Sequence, residues 1–228
     1  MNRTAEISMQ HEMTTSRYTL GEEIAHAVSH GIGALLSIAG LTVLVAYAAL
    51  NGNVWHITSC SIYGATLIFL YTASTLYHGI TQPQAKRVLQ RIDHAAIFLL
   101  IAGTYTPFTL VSLHGAWGWT LFGLVWGLAL LGVVLETVVK RRIHWLSLTL
   151  HLGLGWLVLI AIKPMLTSVA TGGLVLLLAG GLCYSLGVIF YVWRRLAYHH
   201  AVWHLFVMAG SALHFFSIFY YVVPAATA

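Results

Sequence analysis

Seven apolar runs, at residues 22–48, 54–79, 90–113, 116–138, 144–163, 169–192 and 201–223, constrain this chain more than anything else in it. Each is about 20 residues or longer, enough for an α-helix to cross a hydrocarbon layer ~30 Å thick. Inside such a layer the backbone has no water to bond to, so only helices and closed β-barrels span it. Barrel strands alternate apolar and polar residues, and "GLVLLLAGGLCYSLGVIFYV" at 173–192 does not. The reading is an all-α, polytopic membrane protein: a short polar segment over 1–20, expected in the cytoplasm, then one seven-helix transmembrane domain over 21–228. Short connections and the lack of a Pro/Ser-rich linker argue against a separate soluble domain. Composition agrees, since only 7% of the residues are charged, against about 25% in soluble domains.

The eleven basic residues test the count of spans. Arg3 and Arg17 precede the first run; Lys86, Arg87 and Arg91 fall between the second and third; Lys140, Arg141 and Arg142 between the fourth and fifth; Arg194 and Arg195 between the sixth and seventh. Seven crossings put all of these on one side and only Lys163 opposite. The positive-inside rule then places the N-terminus in the cytoplasm and the C-terminus outside. Topology thus accounts for the net charge of +5, and no nucleic-acid partner is expected. The opening "MNRTAEISMQHEMTTSRYTL" has neither the apolar core nor the cleavage site of a secretory signal, so the first span is expected to direct insertion itself. Cys60 and Cys183 lie within apolar runs and indicate no disulfide framework. Gly123 with Gly127, Gly153 with Gly155, and Gly180 through Gly187 recur at helical spacing and are expected at close helix contacts. Pro107, in "GTYTPF", removes a backbone donor inside the third run, which makes either a plain kink or a widened cavity.

Ionisable groups inside a membrane are costly, so each is a candidate for function. Asp93, the only aspartate, opens the third run in "RIDHAAIF". His78 closes the second in "STLYH", with Ser74 one turn deeper on the same face. His200 and His204, in "HHAVWH", begin the seventh, and their i,i+4 spacing stacks both imidazoles on one face. Seven crossings bring these residues, from three helices, to one membrane depth. Three imidazoles near a carboxylate suit Zn²⁺, and three histidine ligands leave the fourth position open, as in catalytic sites. Asp93 then serves as general base through water or as the fourth ligand itself. Ser74 either donates to a developing oxyanion or orients a ligand. Interfacial histidines also serve as amphipathic anchors, and spacing alone leaves both readings open.

The remaining histidines read differently. His26 and His30, preceded by Glu22 and Glu23, form a second i,i+4 pair and read as interfacial caps in preference to a second metal corner. His94 and His199 point about 100° away from Asp93 and His200 and are expected outside the site, His199 at the interface. Glu136 and Lys140 read as a surface ion pair, and His151 as a satisfied interior histidine. Ser211 and His214 continue the His200 stripe about 20 Å across the membrane. A polar cavity and a helix–helix hydrogen bond are both open for His214.

"SHGIG" in the first run, "STLYH", "DHAAI", "GTYTPF", and "HAVWH" followed by "GSALHF" together resemble the hemolysin III proteins, the bacterial branch of the progestin and adipoQ receptor family. The resemblance extends over nearly the whole chain from Glu22 onward. It implies a seven-helix membrane fold with the N-terminus inside, in a bacterial inner (cell) membrane. In the adiponectin receptors of that family the serine-xxx-histidine, aspartate and histidine-xxx-histidine elements form an intramembrane zinc site. Carried over, these fall on Ser74 and His78, on Asp93, and on His200 and His204, with the three histidines as ligands and Asp93 acting through water. The long additions of the eukaryotic receptors are absent, so hormone recognition is not expected.

Residues and resemblance together set the expectation: a zinc-dependent intramembrane hydrolase of a lipid amide or ester. His78, His200 and His204 hold the metal, Asp93 manages protons, Ser74 assists, and membrane lipid is the partner. The alternative is a non-enzymatic membrane sensor or a pore-forming cytolysin with structural zinc. A transporter or proton relay, suggested by the number of histidines, lacks the paired broken helices of many transporters.

Overall fold

The computed structural model describes residues 18–139 and 144–223, so Arg3, Arg17, Lys140, Arg141 and Arg142 lie outside the described residues. Those residues form eight α-helices and no strand: α1 (Leu20–Asn51), α2 (Val54–Gly79), α3 (Pro83–Pro107), α4 (Ala116–Val138), α5 (His144–Gly155), α6 (Ile162–Ser168), α7 (Thr171–Val192) and α8 (His199–Tyr221). A five-residue π-helical turn, Phe108–Ser112, extends α3, and a 3₁₀ stretch, Trp156–Ala161, joins α5 to α6. Seven segments are long and apolar enough to cross a membrane, the fifth being α5, the 3₁₀ stretch and α6 together.

Two helix starts set up the functional end of the bundle. Thr19 caps α1: its hydroxyl accepts from Glu22 N at 3.3 Å, while the Glu22 carboxylate accepts from Thr19 N at 2.9 Å. This capping box occupies Glu22. Glu23 lies 100° further round the helix and faces inward. The third span begins at Pro83, seven residues before the expected boundary, because Pro83 suits a first turn and the Gln82 side chain accepts from Ala85 N. Lys86, Arg87 and Arg91 therefore stand on the opening turns of α3 instead of in a loop.

Helix α1 packs along α2 and α8, α2 against α3, α3 against α4, and α7 against α8, while the fifth span touches its neighbours sparsely. Lipid tails are as apolar as leucine, so such packing rests on close approach and interhelical hydrogen bonds. Leu35, Leu36, Leu130 and Leu131 are exposed, as a lipid-facing surface requires. Only some of the expected small-residue contacts are present. A Cβ on Gly187 would lie 2.7 Å from Phe206 Cβ, and one on Gly180 would strike the His214 ring, but a Cβ on Gly123, Gly127, Gly153 or Gly155 meets nothing within 4 Å. Thermal unfolding in detergent should separate the two kinds. We expect Gly187→Ala to lose about 1–3 kcal/mol through overpacking, and Gly127→Ala to gain about 0.5–1 kcal/mol from improved helix propensity.

The fifth span is broken at mid-height. Unpaired backbone groups at such depth cost several kcal/mol each, and the Tyr105 hydroxyl supplies partners. It donates toward Leu154 O and Gly155 O, at 3.1 and 2.9 Å, and accepts from Val158 N at 2.8 Å. Pro107 ends α3 where the π turn takes over, and Thr109 Oγ bonds back to the Tyr105 and Thr106 carbonyls. Pro107 thus marks a change of helical pitch. Its neighbours Thr104, Tyr105 and Phe108 line a cavity, and Pro107 itself does not.

Candidate metal centre

At the capped end of α1, five buried imidazoles meet: His26 and His30 from α1, His78 from α2, and His200 and His204 from α8. One ring nitrogen from each of His78, His200 and His204 lies within 4.8 Å of the others, close enough for one metal ion to be shared. The three rings are 5.3, 5.3 and 4.7 Å apart between centroids. The topology expected from sequence has brought the predicted histidines together.

Two of the three are held in a definite tautomer. His78 Nδ1 donates to Glu23 Oε2 at 2.7 Å. Its Nε2 therefore carries a lone pair, and it is buried with no hydrogen-bond partner. Ser29 Oγ donates to the His26 carbonyl at 3.0 Å, so at 3.1 Å it accepts from His204 Nδ1 and leaves Nε2 unprotonated. A histidine whose far nitrogen donates to a carboxylate or hydroxyl is the usual form of a metal ligand. The donor set and this orphaned, buried nitrogen fit Zn²⁺. Glu23 is itself anchored, its Oε1 lying 2.9 Å from Lys86 Nζ on α3. Titration against a competing chelator should show Glu23→Gln weakening zinc binding by about 10–100-fold.

Asp93 and Ser74 are buried, and both line the cavity beside His30, His200 and His204. The cavity has a volume of about 360 Å³, and apolar residues of α3, the fifth span and α7 line most of it. Asp93 Oδ2 is 3.6 Å from His94 Nδ1, which donates to Gln90 O at 2.6 Å. His94 also lines the cavity, contrary to the expectation that it stands apart.

Several further expectations are corrected. His26 and His30 are not interfacial caps: Thr19 and Glu22 form the cap, and both imidazoles are buried with no hydrogen bond to either ring nitrogen, His26 Nδ1 lying 4.0 Å from Glu23 Oε2. With Leu44 and Ala48 further on, the buried positions in the first half of α1 are Glu23, His26, His30, Gly33 and Ser37. Their spacings of three and four residues were the available signal, hidden because charged and polar residues at a helix start so often cap. His30 stacks on His204 at 3.5 Å with the ring planes 10° apart. His199 is buried and donates from Nδ1 to Phe190 O at 3.0 Å, tying α8 to α7. Glu136 is buried and accepts from Ser147 Oγ, so it is not a surface group. His151 is half-buried, packs its ring on Phe98 at 3.9 Å and lines the cavity instead of sitting in the interior. His214 makes the helix–helix bond, donating from Nε2 to Leu177 O at 3.0 Å, and also lines the cavity. Ser211 Oγ accepts from Tyr71 at 2.8 Å and shares a hydrogen bond with Tyr184 at 2.7 Å, joining α2, α7 and α8.

A family model described as Haemolysin-III related matches residues 18–215. The chain is 48% identical over 206 residues to the hemolysin-3 homolog of Bacillus subtilis (strain 168), covering 90% of this chain and 97% of the relative. It is 43% identical over 219 residues to hemolysin-3 of Bacillus cereus, covering 96% and 100% respectively. At 26% identity over 215 residues it also resembles the monocyte to macrophage differentiation factor of Homo sapiens, covering 92% of this chain and 88% of that one.

Proposed function

The chain belongs to the haemolysin-III related family of multi-pass integral membrane proteins, and from that premise we propose that it is a zinc-dependent hydrolase of a lipid amide or ester bond. The observation that carries this reading is the cavity. One end gathers His30, His200, His204, Asp93 and Ser74, and most of the remaining wall is apolar, with His94, Ser147, His151, Ser185 and His214 also on it. Its volume of about 360 Å³ lies within the range of small-ligand sites. An acyl chain suits the apolar length, and a carbonyl suits the polar end.

His78, His200 and His204 would hold the metal, with Glu23 and Ser29 fixing the tautomers of His78 and His204. A bound Zn²⁺ supplies Lewis acidity, polarising a carbonyl and acidifying water near neutral pH. The Asp93 carboxylate takes the proton from the attacking water and returns it to the leaving nitrogen or oxygen. Ser74 Oγ, on the cavity wall, donates to the carbonyl oxygen as negative charge develops there. The apolar lining keeps bulk water from the reacting carbonyl. Purified protein reconstituted with a panel of ceramides and phospholipids should release free fatty acid, and release must stop on zinc chelation and return on zinc addition. Turnover that ignores chelation would remove the hydrolytic reading.

We infer that the functional end faces the cytoplasm, a reading supported by the positive-inside rule because Lys86, Arg87, Arg91, Arg194 and Arg195 lie at that end. A second reading rests on the name of the Bacillus cereus relative, hemolysin-3, which suggests lysis of membranes. The apolar cavity wall fits a lipid tail better than a water-filled path. Lysis or conductance by purified protein that persists without metal would favour the second reading.

A further inference from the structure

We propose that Tyr18 is the gate through which the metal ion reaches this centre from water, a role that rests on the zinc reading above and gives the ion a path separate from the lipid's. Tyr18 immediately precedes Thr19, the N-cap of α1. Its ring lies over the histidine cluster, 4.8 Å from the His26 ring, 5.3 Å from His200 and 6.3 Å from His78, with His199 at 5.9 Å. Aromatic pairs attract at centroid separations of about 4.5–7 Å, so each of these contacts holds the ring in place. One side chain thus touches imidazoles from α1, α2 and α8, and two of them are expected ligands. Tyr18 itself is half-buried, while His26, His78 and His200 beneath it are buried.

A residue before an N-cap often serves only to fix the entry of the chain, by packing on an apolar side chain at the fourth helical position. In α1 that position is Glu23, whose carboxylate is committed to His78 Nδ1 at 2.7 Å and Lys86 Nζ at 2.9 Å. The ring therefore has imidazoles where such a staple has an aliphatic side chain.

The cluster has two approaches. The cavity reaches His30, His200 and His204 from within the bundle, and Tyr18 is not on its wall. A cation crosses a largely apolar cavity at high cost, which suits that side to lipid and leaves the capped end of α1 to the ion. The other groups at that end are fastened: Glu23 holds His78 and Lys86, and the Tyr198 backbone N–H donates to Glu22 Oε1 at 3.2 Å. Tyr18 stands outside the helix, so its ring can swing away without breaking an intrahelical hydrogen bond.

Stopped-flow loading and chelator-driven release of zinc, on the full-length protein in detergent, separate a gate from a support. A gate changes both rates by one factor and leaves their ratio, Kd, alone. A minor open state amounts to about 0.1–10% of the population, so Tyr18→Ala is expected to speed loading and release alike by about tenfold or more at the native Kd. Tyr18→Leu should fall in between, and Tyr18→Phe should keep native rates, because the ring and not the hydroxyl covers the cluster. Native rates in Tyr18→Ala would overturn the gate while leaving the zinc site standing. A weaker Kd without faster loading would overturn it too, since that marks a support for the ligands. Native protein that takes up no zinc would remove both readings. Where the alanine variant fails to fold, Tyr18→Leu against Tyr18→Phe decides the matter.

Discussion

Purified protein carrying His204→Ala is expected to lose its zinc, from about one ion per chain to almost none, and His78→Ala and His200→Ala should do the same. The three residues come from α2 and α8, helices that meet only through the tertiary fold, so each deletion removes one corner of a site that no single helix can form. The loss should be steepest for His204. It is almost fully buried, it is hydrogen-bonded through Nδ1 to Ser29, and it carries His30 stacked on its face. Alanine there removes a ligand and leaves a cavity against α1, so some loss of thermal stability should accompany the loss of metal. Metal content by mass spectrometry, read on monodisperse protein, is the measurement. Zinc retained by all three variants would rule out the centre.

Asp93→Ala should give the opposite pattern, with zinc retained and catalysis lost. Asp93 lies on the cavity wall, buried, and is not among the residues whose ligand atoms converge on one another. Removal of a positioned proton donor and acceptor costs about 10²–10⁴-fold in rate. Fatty-acid release should fall by that factor while metal content stays near that of the native protein. If zinc falls in parallel with turnover, Asp93 is a ligand, which is the other role that its chemistry allows. Asp93→Asn separates the two further, since the amide keeps an oxygen donor but cannot shuttle the proton.

The seven spans were legible in sequence because the hydrocarbon layer imposes one simple requirement on every segment, a long apolar helix. The convergence of His78, His200 and His204 was legible too, because span count and sequence position together set membrane depth. Rotation of a helix about its own axis is a different matter. Glu22 and Glu23 are adjacent and chemically alike, yet one caps α1 and the other orients His78. His26 and His30 looked like interfacial groups until the face carrying them was seen packed against α2 and α8. The same reasoning misplaced His94, His199 and Glu136. For each, the neighbouring helix decides whether a polar residue near a span end meets solvent or the interior. The glycines tell a similar story, since Gly187 and Gly127 are equivalent in sequence pattern and only Gly187 faces another helix.

By itself, then, the chain's sequence determined the solvent it folds in, the number of crossings and the depth of each ionisable group, since these follow from length, apolarity and order along the chain. Which histidines share a space was decided only by tertiary packing. Helix rotation and neighbour choice are set by side-chain contacts between segments far apart in sequence, and those contacts make a pair of ligands on α8 into part of a five-imidazole cluster.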